Sequence, residues 1–395
     1  MTSGSDGMGT TACRACRAVV PAAVFCGRCG FELDSEPGYW RMMLRPRQFV
    51  VAPRETITLP MAISSLFPHL TRSARNPFRL GLLLLVGGLV VFAVLRSPGP
   101  LVTLAGLGVP LLFALYLWQS GVARDIPRHE LAIAAGVGIA VGVGWVLLTG
   151  GLVAHAYGIP MAAGFVLEHV VNVGLLLSVG GAVMMALPAI VVRLLGPGTR
   201  ESLDGFVIGA LGALCFTAAA TITRLAPQFI SGLFDKARSL RMFVEAVLYG
   251  LAVPLTAAAA GGLIGVVLWF HPGQRAGRHR GRVRTSMLLF TGLVVTIYIG
   301  VWLVDAARLP RIQEMLLHLE MTVPALLALR TGMQMALLHE EPDPFAGLPW
   351  LCVHCERVVP EMPFCPACGA AARASSRTSR RLRRVARPVR DPALT

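Results

Sequence analysis

Seven stretches of this chain, 79–95, 101–118, 131–151, 172–195, 205–224, 243–270 and 285–305, are apolar over about the twenty residues that a helix needs to cross a bilayer. The composition agrees. Of 395 residues, 55% are hydrophobic and only 14% charged, too apolar for a soluble domain of this length. The expected fold class is therefore an all-α polytopic transmembrane helical bundle of about eight spans. An eighth run, 311–338, is apolar enough to cross but carries Glu314, His318, Glu320 and Arg330, so the sequence leaves open a span or an interfacial amphipathic helix. The segment 160–171 is similarly open, and reads as a half-helix leading into the fourth span.

Outside the apolar runs, one small cysteine module is written twice. CRACRAVVPAAVFCGRCG starts at Cys13 and CVHCERVVPEMPFCPACG at Cys352. Each copy has two CxxC pairs nine residues apart, Val-Val-Pro in the middle, Phe before the third cysteine and glycine after the fourth (Gly30 and Gly369). A CxxC turn aims two sulfurs at one point, and two such turns complete the tetrahedral thiolate cage that zinc prefers. The expected ligands are Cys13, Cys16, Cys26 and Cys29 for one zinc ion, and Cys352, Cys355, Cys365 and Cys368 for a second. Some eighteen residues bury no self-sufficient core, so the metal would supply most of the folding free energy. Disulfides are the competing reading, but they require an oxidising compartment and give no reason for two identical spacings. His354 reads as a surface residue. Cys215, the one cysteine outside the modules, reads as a small packing residue in an apolar helix.

These modules resemble the two halves of a double zinc ribbon, a small binding or scaffolding unit common in bacteria and archaea. The resemblance implies that the halves pair, which would place both termini on one side and make the number of spans even. The implied domain order is an N-terminal ribbon (1–30), a proline-punctuated juxtamembrane linker (31–78), a membrane domain (79–338), a C-terminal ribbon (350–370) and a polybasic tail (371–395). Short strands are expected in the linker around RQFVVAP and ETITLPM.

The net charge is +15, and Lys236 is the only lysine among the 36 basic residues. Arginines crowd the N-terminal segment, the 119–130 loop, the 196–203 loop and 271–284, whereas the loops near 96–100 and 152–160 carry almost none. That asymmetry predicts an inner-membrane, multi-pass protein with both termini cytoplasmic. The 225–242 loop, with Lys236, Arg238 and Arg241, runs against the pattern. The N-terminus has no basic and apolar signal sequence, so the first span is expected to act as the address. The tail RASSRTSRRLRRVARPVR is expected to be solvated and disordered, with anionic lipid as its partner. Nucleic acid is not expected, because no aromatic residues interleave the arginines.

Within the bundle, SLDGFVIGALGALCF from Ser202 to Phe216 opens with Asp204-Gly205 and spaces small residues at 205, 209 and 212–213, a pattern that suits close helix packing. The stretch resembles the central motif of the PrsW-type intramembrane proteases, and the likeness extends over 165–305. That family carries a Glu-Glu-x-x-Lys motif one helix earlier, a Glu-Asn after the Gly-Phe, and histidines on the two following helices, which together activate a water. In this chain Gly180, Gly181 and Met184 stand at the first motif, and Ala220 and Thr221 at the second. Val253 and Val301 replace the two histidines, with Asp305 retained beside the last. None of the substituted residues can act as a general base, so the resemblance implies a pseudoprotease with no catalytic residues.

Glu168 and His169 are ionisable residues at or in the membrane, as is Glu245. Neighbouring helical positions point about 100° apart, so Glu168 and His169 do not make a one-face metal pair, and interfacial polar contacts are expected for all three. The expected function is that of a non-enzymatic scaffold or regulator presenting a zinc ribbon to a protein partner. The alternatives are an active intramembrane metalloprotease with a site relocated to Glu168 and His169, and a small-solute or lipid transporter with broken spans such as VPLTAAAAGG at 253–262.

Overall fold

The computed structural model describes residues 9–14, 17–28, 30–33, 72–157, 167–198, 201–230, 239–271, 280–306, 309–340, 349–352, 355, 357–360, 362–369 and 377–385. The strands expected near 47–53 and 55–61, together with most of the half-helix expected at 160–171, lie outside the described residues.

The membrane domain is all-α. Its helices are α1 (Arg72–Val94), α2 (Pro98–Ser120), α3 (Arg128–Tyr157), α4 (Leu167–Leu194) and α5 (Ser202–Ile230). A composite sixth span follows, built of α6 (Ser239–Val247), a π-helical turn (Leu248–Ala252) and α7 (Val253–Trp269). The last two spans are α8 (Arg280–Ala306) and α9 (Arg311–His339). Eight of these segments are long and apolar enough to cross a bilayer. The eight apolar helices among the described residues mark a multi-pass membrane bundle.

Two small antiparallel hairpins flank the bundle in sequence. In the first, β1 (Thr10–Ala12) pairs with β2 (Val19–Pro21), Thr11 facing Val20; in the second, β3 (Trp350–Leu351) pairs with β4 (Val358–Val359), Leu351 facing Val358. A final helix, α10, spans Arg377–Val385.

The run 311–338 is a full span, and its polar residues explain how. Glu314, His318, Thr322, Arg330 and Gln334 recur at helical spacing and are all buried, while Ile312, Leu316, Leu319 and Val323 are exposed. The polar stripe faces protein and the apolar face points outward, the reverse of a helix lying on a membrane surface.

The sixth span widens just before Pro254, which has no N–H to donate to the helical ladder. The Ala252 carbonyl accepts a hydrogen bond from Thr256 Oγ1 at 2.8 Å. Thr256 in turn meets Thr322 of α9 at 3.0 Å, joining the two spans.

At the centre, α5 crosses α7 with backbones almost touching. A Cβ added at Gly209 would overlap the carbonyl of Gly261, and one added at Gly265 would overlap the carbonyl of Gly205. The small residues that the sequence spaces along Ser202–Phe216 thus serve close packing, which in lipid substitutes for the hydrophobic drive available in water. Around this crossing lie Phe206, Phe113, Tyr116 and Trp269, all fully buried.

Substituting Gly209 by leucine is expected to cost about 2 kcal/mol or more, because neither backbone can yield. Gly136, around whose added Cβ nothing lies within 4 Å, is expected to accept alanine without loss. Thermal melts of the two variants in detergent check both outcomes, and equal melting temperatures would contradict the crossing.

Candidate functional site

The second cysteine module folds as a hairpin closed on itself. Cys352 N–H donates to Arg357 O at 2.9 Å and Gly369 N–H to Cys365 O at 2.8 Å. Gly369 has a φ of 73°, the left-handed region that glycine enters without strain. The four sulfurs of Cys352, Cys355, Cys365 and Cys368 converge within 4.8 Å of one another. Cys352 and Cys368 are 3.7 Å apart, and Cys355 and Cys365 are 3.8 Å apart. Four sulfurs at about 2.3 Å from a central zinc ion sit about 3.8 Å from one another, whereas a disulfide brings two sulfurs to about 2.05 Å. The residues fit a tetrahedral thiolate ion.

The first module repeats this backbone. Cys13 N–H donates to Ala18 O at 2.9 Å, Gly30 N–H donates to Cys26 O at 2.8 Å, and Gly30 has a φ of 73°. Cys13 and Cys26 are buried in its small core with Val20. Cys16 and Cys29 lie outside the described residues, as does His354.

The two modules face each other through reciprocal hydrogen bonds. Phe25 N–H donates to Pro366 O at 3.0 Å, and Phe364 N–H donates to Gly27 O at 2.9 Å. The phenylalanines occupy equivalent positions in the repeat, and so do Gly27 and Pro366. Each bond is thus the image of the other under a pseudo-two-fold exchange, as in a self-complementary dimer interface. Phe364 lies over Gly30 and Phe25 over Gly369, where a Cβ would reach within 2.8 and 2.9 Å of the respective ring. Each glycine is required twice over, by its backbone and by the ring resting on it. The two modules, far apart in sequence, therefore meet.

Part of the tail beyond the second module, residues 377–385, is helical where solvation was expected. This is α10, and its first residues dock on the bundle. Arg377 Nη2 contacts Asp204 Oδ2 at 2.5 Å, and Arg380 Nη2 contacts Glu201 Oε1 at 2.6 Å. Thr378 N–H and Thr378 Oγ1 both donate to Asp125 Oδ1, at 3.0 and 2.5 Å. So polar a helix has no apolar face with which to fold alone. Two carboxylates at this end of the bundle, Asp204 and Glu201, pair with Arg377 and Arg380, and Asp125 satisfies a backbone donor in the first turn. At the same end Glu340 Oε1 accepts from Ser202 N at 2.7 Å, capping α5.

The positions that the protease resemblance marks for chemistry are packing positions here. A Cβ at Gly180 would meet the ring of Trp145, and Ala220, Val253 and Val301 are buried. Glu168 and His169 stand in the first turn of α4, and their side chains lie outside the described set. Glu245 is half-buried on α6. Cys215 lies within α5, half-buried, in keeping with a packing role.

One group escaped the sequence reading. Asp305, Glu314 and His318 converge within 4.8 Å at the end of the bundle opposite the ribbons. The available signal was the i, i+4 spacing of Glu314 and His318, which puts both on one helix face a short connection away from Asp305.

Compared with models of protein families, with curated proteins and with solved structures, the chain matches none.

Full-length protein carrying Cys352→Ser and Cys355→Ser is expected to lose one equivalent of zinc by elemental analysis; unchanged zinc would exclude these ligands. The hydrogen bond with Cys352, with burial adding to it, pushes the Cys365 thiol up to about 12. Metal binding to thiolates must displace that proton, so zinc retention is expected to fall as pH drops from about 7 to about 5. Glu201→Ala leaves the buried Arg380, 2% exposed, without that carboxylate, at a cost of about 3 kcal/mol. Tryptic cleavage within 377–384 is expected to accelerate about a hundredfold, and an unchanged rate would refute the dock.

Proposed function

We propose that this protein is a non-enzymatic multi-pass membrane scaffold or regulator that presents a paired zinc ribbon to a protein partner at the cytoplasmic face of an inner membrane. The observation that carries the reading is the reciprocal pairing of Phe25 with Pro366 and of Phe364 with Gly27, which gives the ribbon a defined two-sided surface rather than two loose knuckles. In this reading both modules are loaded, with Cys16 and Cys29 completing the first zinc site beside Cys13 and Cys26.

The surface offers something to bind. Val19 and Val358 hold equivalent places in the two halves and are 71% and 49% exposed, so the pseudo-symmetric unit displays a matched pair of apolar side chains. Exposed apolar residues on a small metal-stapled unit suit recognition of another protein. The arginines of 371–395 add attraction to anionic lipid, keeping the ribbon near the membrane. The emptied positions at 180, 181, 184, 220, 221, 253 and 301 support a degenerate PrsW-like bundle as the scaffold.

The test is in-cell proximity labelling from the full-length chain, wild type against Val19→Asp with Val358→Asp. The double variant is expected to retain its zinc and lose at least tenfold of the labelling of a specific partner. Equal labelling by both proteins would overturn the reading.

A further inference from the structure

The end of the bundle opposite the ribbons holds a second convergence of metal-ligating side chains. Asp305 ends α8, and Glu314 and His318 lie one turn apart near the start of α9. Their ligating atoms all lie within 4.8 Å of one another. Glu314 is 3% exposed and His318 1%, so these groups belong to the protein interior.

Their bonding is incomplete. His318 Nε2 lies 3.0 Å from Asp305 Oδ1, yet neither atom has a hydrogen-bond partner among the described residues, and neither has His318 Nδ1. The ring nitrogen and the carboxylate oxygen are close without being aimed at each other. That is the relation of two ligands pointing at a third atom, since donors at about 2.1 Å from a tetrahedral ion sit about 3.4 Å apart. Buried polar atoms left without partners are costly in a protein interior and more so in lipid. A cation shared by Asp305, Glu314 and His318 removes that cost and the repulsion between the two carboxylates.

The surroundings are those of a supported site. Arg311 Nη1 donates to Glu314 Oε2 at 2.9 Å, orienting that carboxylate beside Asp305. The His318 carbonyl accepts from Thr322 Oγ1 at 2.7 Å, which ties this turn of α9 through Thr256 to the sixth span. The π-helical turn of that span brings Tyr249 into electrostatic reach of Asp305, Glu314 and Glu245. Arg224 stacks 5.6 Å over the Tyr249 ring. π-helical turns recur at functional sites.

We propose that Asp305, Glu314 and His318 bind a divalent transition-metal ion. Two carboxylates and an imidazole suit zinc, iron or manganese more than a soft monovalent ion. Three protein ligands leave a tetrahedral ion one position for an exchangeable group. The site is distinct from the thiolate ribbons in chemistry and position, and it stands whether or not they bind a partner.

Zinc is the probe. Full-length protein in detergent is stripped, reloaded with zinc and compared with His318→Gln and Glu314→Gln by elemental analysis. Each variant is expected to hold one equivalent less than wild type, while Cys352→Ser with Cys355→Ser removes a different equivalent. X-ray absorption at the zinc edge on the wild type is expected to show oxygen or nitrogen scatterers beside sulfur, and that component is expected to persist in the cysteine variant. Equal zinc in wild type and both variants, or a shell of sulfur alone, would overturn the site. The absorption measurement decides the matter even if a variant fails to fold.

Discussion

The contact on which this architecture hangs is the glycine crossing of α5 and α7. Because Gly205, Gly209, Gly261 and Gly265 bring two backbones together, α5 is held in the interior of the bundle, with most of its span buried. Its N-terminal end carries Glu201 and Asp204, which hold Arg377 and Arg380 of α10. Through α10 the second cysteine module is moored to the bundle, and through the second module so is the first. Small residues with no chemistry of their own thus decide where the cysteines stand.

How much of this could be read from the sequence depended on the range of the forces involved. The CxxC pairs and their spacing are local, so the convergence of Cys352, Cys355, Cys365 and Cys368 was legible. Seven spans were legible because burial in lipid demands only composition. The eighth was not, because Glu314, His318 and Arg330 signal polarity without saying which way they face. That direction is fixed by neighbours such as Thr256, 66 residues away from Thr322.

The tail shows the same limit from the other side. RTSRRLRRV is solvated by every local criterion, and it becomes a helix because Asp204 and Glu201 lie 173 and 179 residues back along the chain from Arg377 and Arg380. Charge complementarity at such separation leaves no periodicity to find. Asp305 illustrates a third case. The family resemblance marked it as a survivor of a lost pair, but its neighbours are Glu314 and His318 on the following span, which no motif of that family supplied.

The division of the ribbon between the two ends of the sequence also has a meaning in time. The first half leaves the ribosome more than three hundred residues before the second, an interval of roughly 20–70 s at ordinary translation rates of about 5–20 residues per second. Throughout it the face formed by Phe25, Gly27 and Gly30 has no counterpart in its own chain. A polypeptide that stops before Cys352 never acquires one. Closure of this unit is therefore a chemical mark of elongation through the whole helical bundle, written in thiols.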